Sequence, residues 1–162
     1  EKYGIEPREH ALAYNGFFPK WLYDVSVEEE KAALEKRFSE ISERYKAKIP
    51  TIEVTNEMGW GKGKTAFYDE PDYVQWCFKM AEKYFPENQL VINDATEQTW
   101  GDVCRATSMY YAYTEANLLK GARIDSIGMQ FHMFYKSEEE YKKTKNYYLF
   151  LVSFILYSIS LL

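Results

Sequence analysis

Thr51-Ile-Glu-Val-Thr-Asn-Glu57 is a short β-branched run that ends in an amide and a carboxyl side by side. Val, Ile and Thr crowd χ1 and suit a pleated surface. The run, bounded by Pro50 and by the glycines from Gly59 to Gly63, therefore predicts a buried strand. Asn56 and Glu57 then project from its C-terminal end. In a barrel of parallel strands that is where catalytic groups sit, because the strand holds them rigidly while loops shape a cleft around them.

Upstream, Glu9-His-Ala-Leu-Ala-Tyr14 alternates loosely and breaks at Asn15-Gly16, which reads as a strand followed by a loop with Phe17, Phe18, Pro19 and Trp21. Ser26 with Glu29 three residues on is a capping-box signature. Ala33, Leu34, Phe38, Ile41 and Tyr45 recur at three- and four-residue spacing, predicting a helix to about Lys46 with one apolar face. Acidic residues from Glu28 to Glu30 and basic Arg44, Lys46 and Lys48 suit its dipole.

Downstream, Trp60-Gly-Lys-Gly-Lys-Thr65 invites a phosphate-loop reading, but the glycine spacing is wrong and no helix follows directly. A loop over a cleft is the better account. Pro71 opens the next helix, with Tyr73, Val74, Cys77, Phe78, Ala81 and Tyr84 as its buried stripe and Phe85-Pro86 as its stop. Leu90-Val-Ile-Asn-Asp94 is a second apolar run ending in polar side chains. A third helix spans roughly Trp100 to Lys120, with Val103, Ala106, Met109, Tyr110, Tyr113 and Leu118 facing inward and Gly121 as its stop. Ile124-Asp-Ser-Ile-Gly-Met-Gln-Phe-His132 is a further strand with Gln130 and His132 near its end.

This alternation of strand and helix, at about 30 to 40 residues per unit, is that of a parallel sheet wrapped by helices. A doubly wound sheet alternates similarly, but no glycine fingerprint follows the first strand. The later strands all finish in groups that donate, accept or transfer protons.

A chain of 162 residues with 46% apolar content is long enough for one cored domain. A formal net charge of −5, with lysines spread along helices, argues against a nucleic-acid partner. Aromatics at 18% fit either a large core or a surface that stacks sugar rings. Cys77 and Cys104 lack zinc spacing and read as buried thiols, or as a single bridge if the protein is secreted. Neither a cofactor motif nor a metal-ligand cluster is visible. The start carries no initiator Met and no secretion-type leader, as expected of a piece whose true beginning lies upstream.

Taken with Arg8-Glu-His10, Pro19-Lys-Trp21, Arg44-Tyr45, Leu90-Val-Ile-Asn-Asp94, Leu119-Lys-Gly121 and the Ile124 to His132 run, the Asn56-Glu57 pair makes residues 3–135 resemble the middle of a glycoside hydrolase family 10 catalytic domain, the endo-1,4-β-xylanases. The resemblance implies an α/β fold, a partial (β/α)8 TIM barrel holding roughly the third to sixth strands within residues 1–136. It implies a retaining hydrolase of xylan or xylo-oligosaccharides without a cofactor, secreted or at the cell surface. Glu57 would be the general acid/base. The implied substrate-binding set is Asn56, His10, Asn15, Gln130 and His132, with Asn56 on the sugar 2-hydroxyl and His132 orienting the nucleophile.

Plainer readings stand beside these. His10 fills a hydrogen-bond slot or lines the cleft, Trp21, Trp60 and Trp100 stack sugars or fill the core, and Asp94 and Glu97 are structural or cleft-lining. The family usually has Trp-His where this chain has Tyr14-Asn15, and an aromatic where it has Ala95; both departures touch the glycone side. The nucleophilic Glu comes from the family's seventh strand. Here residues 137–162 are instead a charged linker and an apolar tail, Tyr147 to Leu162, which reads as a buried strand or helix, a membrane anchor or an out-of-register product. The expectation is a chain inactive by itself, and the alternative is a non-catalytic remnant that binds glycans weakly or is tethered by its tail.

Overall fold

The computed structural model describes residues 3–58, 63–94 and 109–130. In chain order these form β1 (Arg8–Glu9), α1 (Val27–Tyr45), β2 (Thr51–Asn56), α2 (Tyr73–Tyr84), β3 (Gln89–Asp94), α3 (Met109–Leu119) and β4 (Ser126–Met129). The four strands make one sheet in the order β1-β2-β3-β4 with every pair parallel. A doubly wound sheet reverses its strand order at a switch point, whereas an unbroken sequential order is the arc of a barrel.

One side of the arc is apolar. Ile52 and Val54 of β2 and Leu90 and Ile92 of β3 are buried with Leu34 and Phe38 of α1 and Val74, Cys77, Phe78 and Ala81 of α2. The other side is polar, where Arg8, His10, Glu53 and Asn93 meet.

Thr51–Asn56 and Gln89–Asp94 are strands as predicted. β2 carries one extra residue against β3: Glu53 stands opposite Val91, but Thr55 stands opposite Ile92. This bulge at Val54 switches the side-chain parity of everything after it.

β1 is shorter than expected. The ladder covers only Arg8 and Glu9, and after a break Ala13 bridges Thr55. The register slips there too, with four residues of the first segment set against three of β2. Tyr14 and Asn15 then lead into two short turns of 3-10 helix, Asn15–Phe17 and Lys20–Leu22.

In α1, Ser26 and Glu29 form the reciprocal capping box. Its buried line is Glu30, Leu34, Phe38 and Ser42, while Tyr45 is exposed and Ala33 and Ile41 are half-buried. Two polar residues belong to this line because each has a backbone partner. Glu30 accepts from the Phe67 amide at 3.2 Å, and Ser42 donates to the Tyr84 carbonyl at 2.7 Å.

α2 buries its predicted stripe except Tyr84, which is half-buried, and it starts at Tyr73, two residues beyond Pro71. In α3, Tyr110 is buried as expected, but Tyr113 and Leu118 are exposed and Thr114 and Asn117 take the inner positions. The helix is apolar nearly all round, so periodicity could not choose its face. It ends in a Schellman turn, with Gly121 at φ +85° and the Ala122 amide donating to the Asn117 carbonyl. Residues 95–108 and 131–162, and with them Ala95, Glu97, Trp100, Val103, Cys104, Ala106, His132 and the Tyr147 to Leu162 tail, lie outside the described residues, as does Trp60. The side chain of Met109 does too.

Glu9 is the half-buried acid of the β1 segment. Its carboxylate meets Arg37 of α1 at 3.6 Å, yet one oxygen is buried without a hydrogen-bond partner. Burial pushes its carboxyl up to about 7, against the opposing pull of Arg37 and His10. A carboxyl raised in the folded state contributes stability that is fully present below about pH 4.5 and is lost as pH rises through about 7. Glu9→Gln is expected to remove that slope. Urea melts at pH 5 and pH 7.5 should show the variant gaining on the parent by on the order of 1 kcal/mol at the higher pH, reduced from the full conversion by solvent screening. Equal differences at the two pH values would count against it.

Candidate active site

The tip of β2 is built by the bulge. Positions 53 and 56 have opposite parity and would face opposite sides of an unbroken strand; the extra residue between them turns Glu53 and Asn56 to the same side. A single buried side chain, Asn93 of β3, then reaches both. Its amide donates to Glu53 Oε1 at 3.1 Å and to Asn56 Oδ1 at 2.9 Å, using both hydrogens.

Glu53 is 3% exposed, and its carboxylate is surrounded by donors. Arg8 donates to Oε2 at 2.9 Å, and His10 Nδ1 and the Asn93 amide meet Oε1. A buried carboxyl group so surrounded by partners is a rigid anchor.

Asn56 Oδ1 accepts a second bond, from Gln130 Nε2 at 3.0 Å. With its oxygen occupied twice, its amino end is turned to the Tyr14 hydroxyl, with which it also interacts. Gln130, just past β4, gives its other hydrogen to Glu57 Oε1 at 3.0 Å. Three amides thus run in series from Glu53 to Glu57.

Glu57 is half-buried at the end of the series with φ +56°, a left-handed conformation that costs a non-glycine residue about 1 kcal/mol. Its backbone is fixed on both sides: its amide donates to the Asn93 carbonyl at 3.1 Å, and its carbonyl accepts from Tyr68 at 3.0 Å. Its second carboxylate oxygen accepts from the Tyr14 hydroxyl. Burial, and then the bond to Glu57, pushes the Tyr14 phenol up; burial, reinforced by the charges of Asp94, Asp69 and Glu57, pushes Tyr68 up to about 12.

Of the predicted site residues, Asn56, Glu57 and Gln130 are in mutual contact. His10 stands one residue behind, on Glu53, with its ring 57% exposed. Asn15 is buried, and its amide is committed within the protein, accepting from the Lys64 amide and donating to Thr65 Oγ1, both at 2.8 Å. It secures the loop after β2. Trp21, 62% exposed, opens onto a groove of about 670 Å³ between the β1 segment and α1, whose lining includes His10 and Tyr14 but not Asn56, Glu57 or Gln130. Cys77 is a buried free thiol.

Sequence reasoning missed Tyr14 as a partner of Glu57, Asn93 as the bridge and Glu53 as the anchor. A carboxylate in the middle of the buried Thr51 run was the available signal, since such a group needs partners.

A family model described as glycosyl hydrolase family 10 matches residues 1–157. Endo-1,4-beta-xylanase B of Neocallimastix patriciarum is 26% identical over 149 residues, which cover 86% of this chain and 17% of that protein. Among solved structures, xylanase XynB from Paenibacillus barcinonensis, complexed with a conduramine derivative, superimposes with a TM-score of 0.68 at 25% identity. A mutant protein in complex with xylotriose does so with 0.70 at 22% identity, a likeness of fold alone. In both cases the match covers 81% of this chain and 42% of the other, so the chain spans less than half the length of its relatives. Its parallel arc is part of their (β/α)8 barrel. A match along nearly the whole sequence and the same partial barrel in space lead to one conclusion: the chain belongs to glycosyl hydrolase family 10.

Proposed function

We propose that the chain carries the acid/base half of a retaining endo-1,4-β-xylanase. The observation that supports this most is the Glu57 carboxyl, set on a strained backbone at a strand's C-terminal tip and gripped by Tyr14 and Gln130. A retaining glycosidase needs one carboxyl to protonate the leaving oxygen and later to activate water, and a second, about 5 to 5.5 Å away, to attack the anomeric carbon. Glu57 takes the first role.

Asn56, whose oxygen is held by Asn93 and Gln130, presents its amino group as a donor to the 2-hydroxyl of the sugar beside the scissile bond, with His10 nearby on the glycone side. Asn15 acts by holding the adjoining loop, and His132 keeps the role that the resemblance implies. The substrate is xylan or a xylo-oligosaccharide. A polymer of that size does not enter cells, which favours a secreted or surface location.

The second carboxylate is the missing half. Beyond Gln130 the only carboxylates are the consecutive Glu138, Glu139 and Glu140 of a charged run. We therefore read this polypeptide by itself as a binding half-site that does not turn over, which favours the non-catalytic alternative for the chain alone. Among the described residues no helix is long and apolar enough to cross a membrane.

Calorimetry with xylohexaose tests the reading. The chain is expected to bind in the millimolar range, with Asn56→Ala weakening binding about tenfold, as for one lost hydrogen bond of about 1.4 kcal/mol, and with no reducing sugar released from xylan. No heat from a chain that melts cooperatively would overturn the binding role. In a polypeptide that supplies the second carboxylate, hydrolysis of unactivated xylo-oligosaccharides that survives Glu57→Ala would overturn the role of Glu57.

A further inference from the structure

Tyr14 is the one hydroxyl bonded to the Glu57 carboxylate among the described residues. It follows the β1 segment, where the Ala13 to Thr55 bridge brings the first segment against the bulged half of β2. Its ring is held edge-on by Phe17, with centroids 5.0 Å apart, and meets the His10 ring at 6.2 Å. Gly16 makes room for it: a Cβ there would stand 2.7 Å from the Tyr14 ring. The side chain is thus packed in place from three sides.

The two oxygens of Glu57 have different partners. Gln130 offers an N–H, which can only donate, to Oε1. Tyr14 offers a hydroxyl, which donates to a carboxylate and, on rotation, accepts from a carboxylic acid. The Asn56 amino group, which can only donate, lies against the same oxygen, so turning the hydroxyl hydrogen away from Glu57 leaves that contact in place.

We propose that Tyr14 is a positioning residue for Glu57, its hydroxyl holding the second carboxyl oxygen in one orientation through both protonation states that an acid/base must visit. This rests on reading Glu57 as the acid/base. The titratable groups facing the hydroxyl are Glu57 itself, Tyr68 from the loop after β2, and His10 across the ring contact; Asp94 acts on Tyr68 behind them. Of these only Glu57 bonds to it directly, so the Glu57 charge should dominate the ionisation of the phenol after burial itself.

The test places a difluorotyrosine, which ionises at a pH the fold tolerates, at position 14 of the full chain and follows it by fluorine NMR. Glu57→Gln keeps the shape and removes the charge. The midpoint is expected to fall by about one pH unit in that variant. Coincident midpoints would overturn the proposal, since a ring that only fills space does not sense the charge. Should Glu57→Gln fail to melt cooperatively, Glu57→Ala takes its place, since it too removes the charge and keeps the backbone bonds of position 57. Coincident midpoints would again overturn the pairing, and a fall of about one unit would uphold it. The titration needs no substrate, so it stands if Glu57 proves not to be the acid/base. Conversely, its failure leaves the hydrolysis test of Glu57 intact.

Discussion

Glu57→Ala, in a polypeptide that joins this segment to a seventh-strand carboxylate, is expected to cut hydrolysis of unactivated xylo-oligosaccharides by about a thousandfold. General-acid assistance is worth roughly 10² to 10⁴ in rate, and a glycosidic oxygen without a proton is a poor leaving group. The thousandfold loss corresponds to about 4 kcal/mol of barrier. An aryl xyloside whose phenol leaves readily needs little protonation, so its bond-breaking step should suffer far less. KM should change little, because Asn56 keeps its bonds to Asn93 and Gln130 when the carboxyl is gone. Nor should the fold collapse: the Glu57 backbone bonds to the Asn93 carbonyl and to Tyr68 remain, and alanine inherits the same strained φ. Initial rates on a matched pair of substrates, one with each kind of leaving group, decide the matter. Equal losses on both would show that Glu57 is not the proton donor.

How much of this was legible in the sequence differs from element to element. β2 and β3 could be read because both faces of each are buried, so β-branched and apolar residues lead up to each polar tip, broken in β2 by Glu53. α2 could be read because its buried stripe is wholly apolar. α1 was half legible: its capping box is a local signal, but Glu30 and Ser42 face inward to backbone partners that lie 37 and 42 residues away in sequence. Periodicity cannot see such partners.

The Asn56-Glu57 pair was legible as chemistry, yet its support was not. That support depends on the extra residue at Val54, which no single residue announces: Val is an ordinary strand residue. Read as a regular strand, the run puts Glu53 and Asn56 on opposite sides and gives Asn93 nothing to bridge. The bulge turns three amides into a continuous series and aims Glu57 where Tyr14 and Gln130 meet it. Tyr14 was hidden for a related reason, since the slip between the β1 segment and β2 decides what stands beside the tip.

Gly128 carries the second large expectation. It lies on β4 opposite Asn93, and a Cβ there would sit 2.5 Å from Asn93 Oδ1 and 2.9 Å from its Cγ. Neither side can yield cheaply. Asn93 is buried with both amide hydrogens committed to Glu53 and Asn56, and the Gly128 carbonyl is held at 3.0 Å by the Tyr110 hydroxyl, which also bonds the Ile92 carbonyl. Overpacking such a site costs about 1 to 3 kcal/mol, and pushing Asn93 aside leaves buried acceptors on Glu53 and Asn56 short of a donor, which adds a comparable amount. Gly128→Ala is therefore expected to lose about 2 to 4 kcal/mol in urea melts and, through the freed Asn56 amide, to weaken xylohexaose binding about tenfold. Adding Asn93→Ala removes the clash but not the need for the bridge. The double variant should accordingly recover stability relative to the sum of the single changes while its binding stays weak. A Gly128→Ala chain as stable as the parent would mean that Asn93 is free to move, and the series from Glu53 to Glu57 would then not be the rigid support that the acid/base role requires.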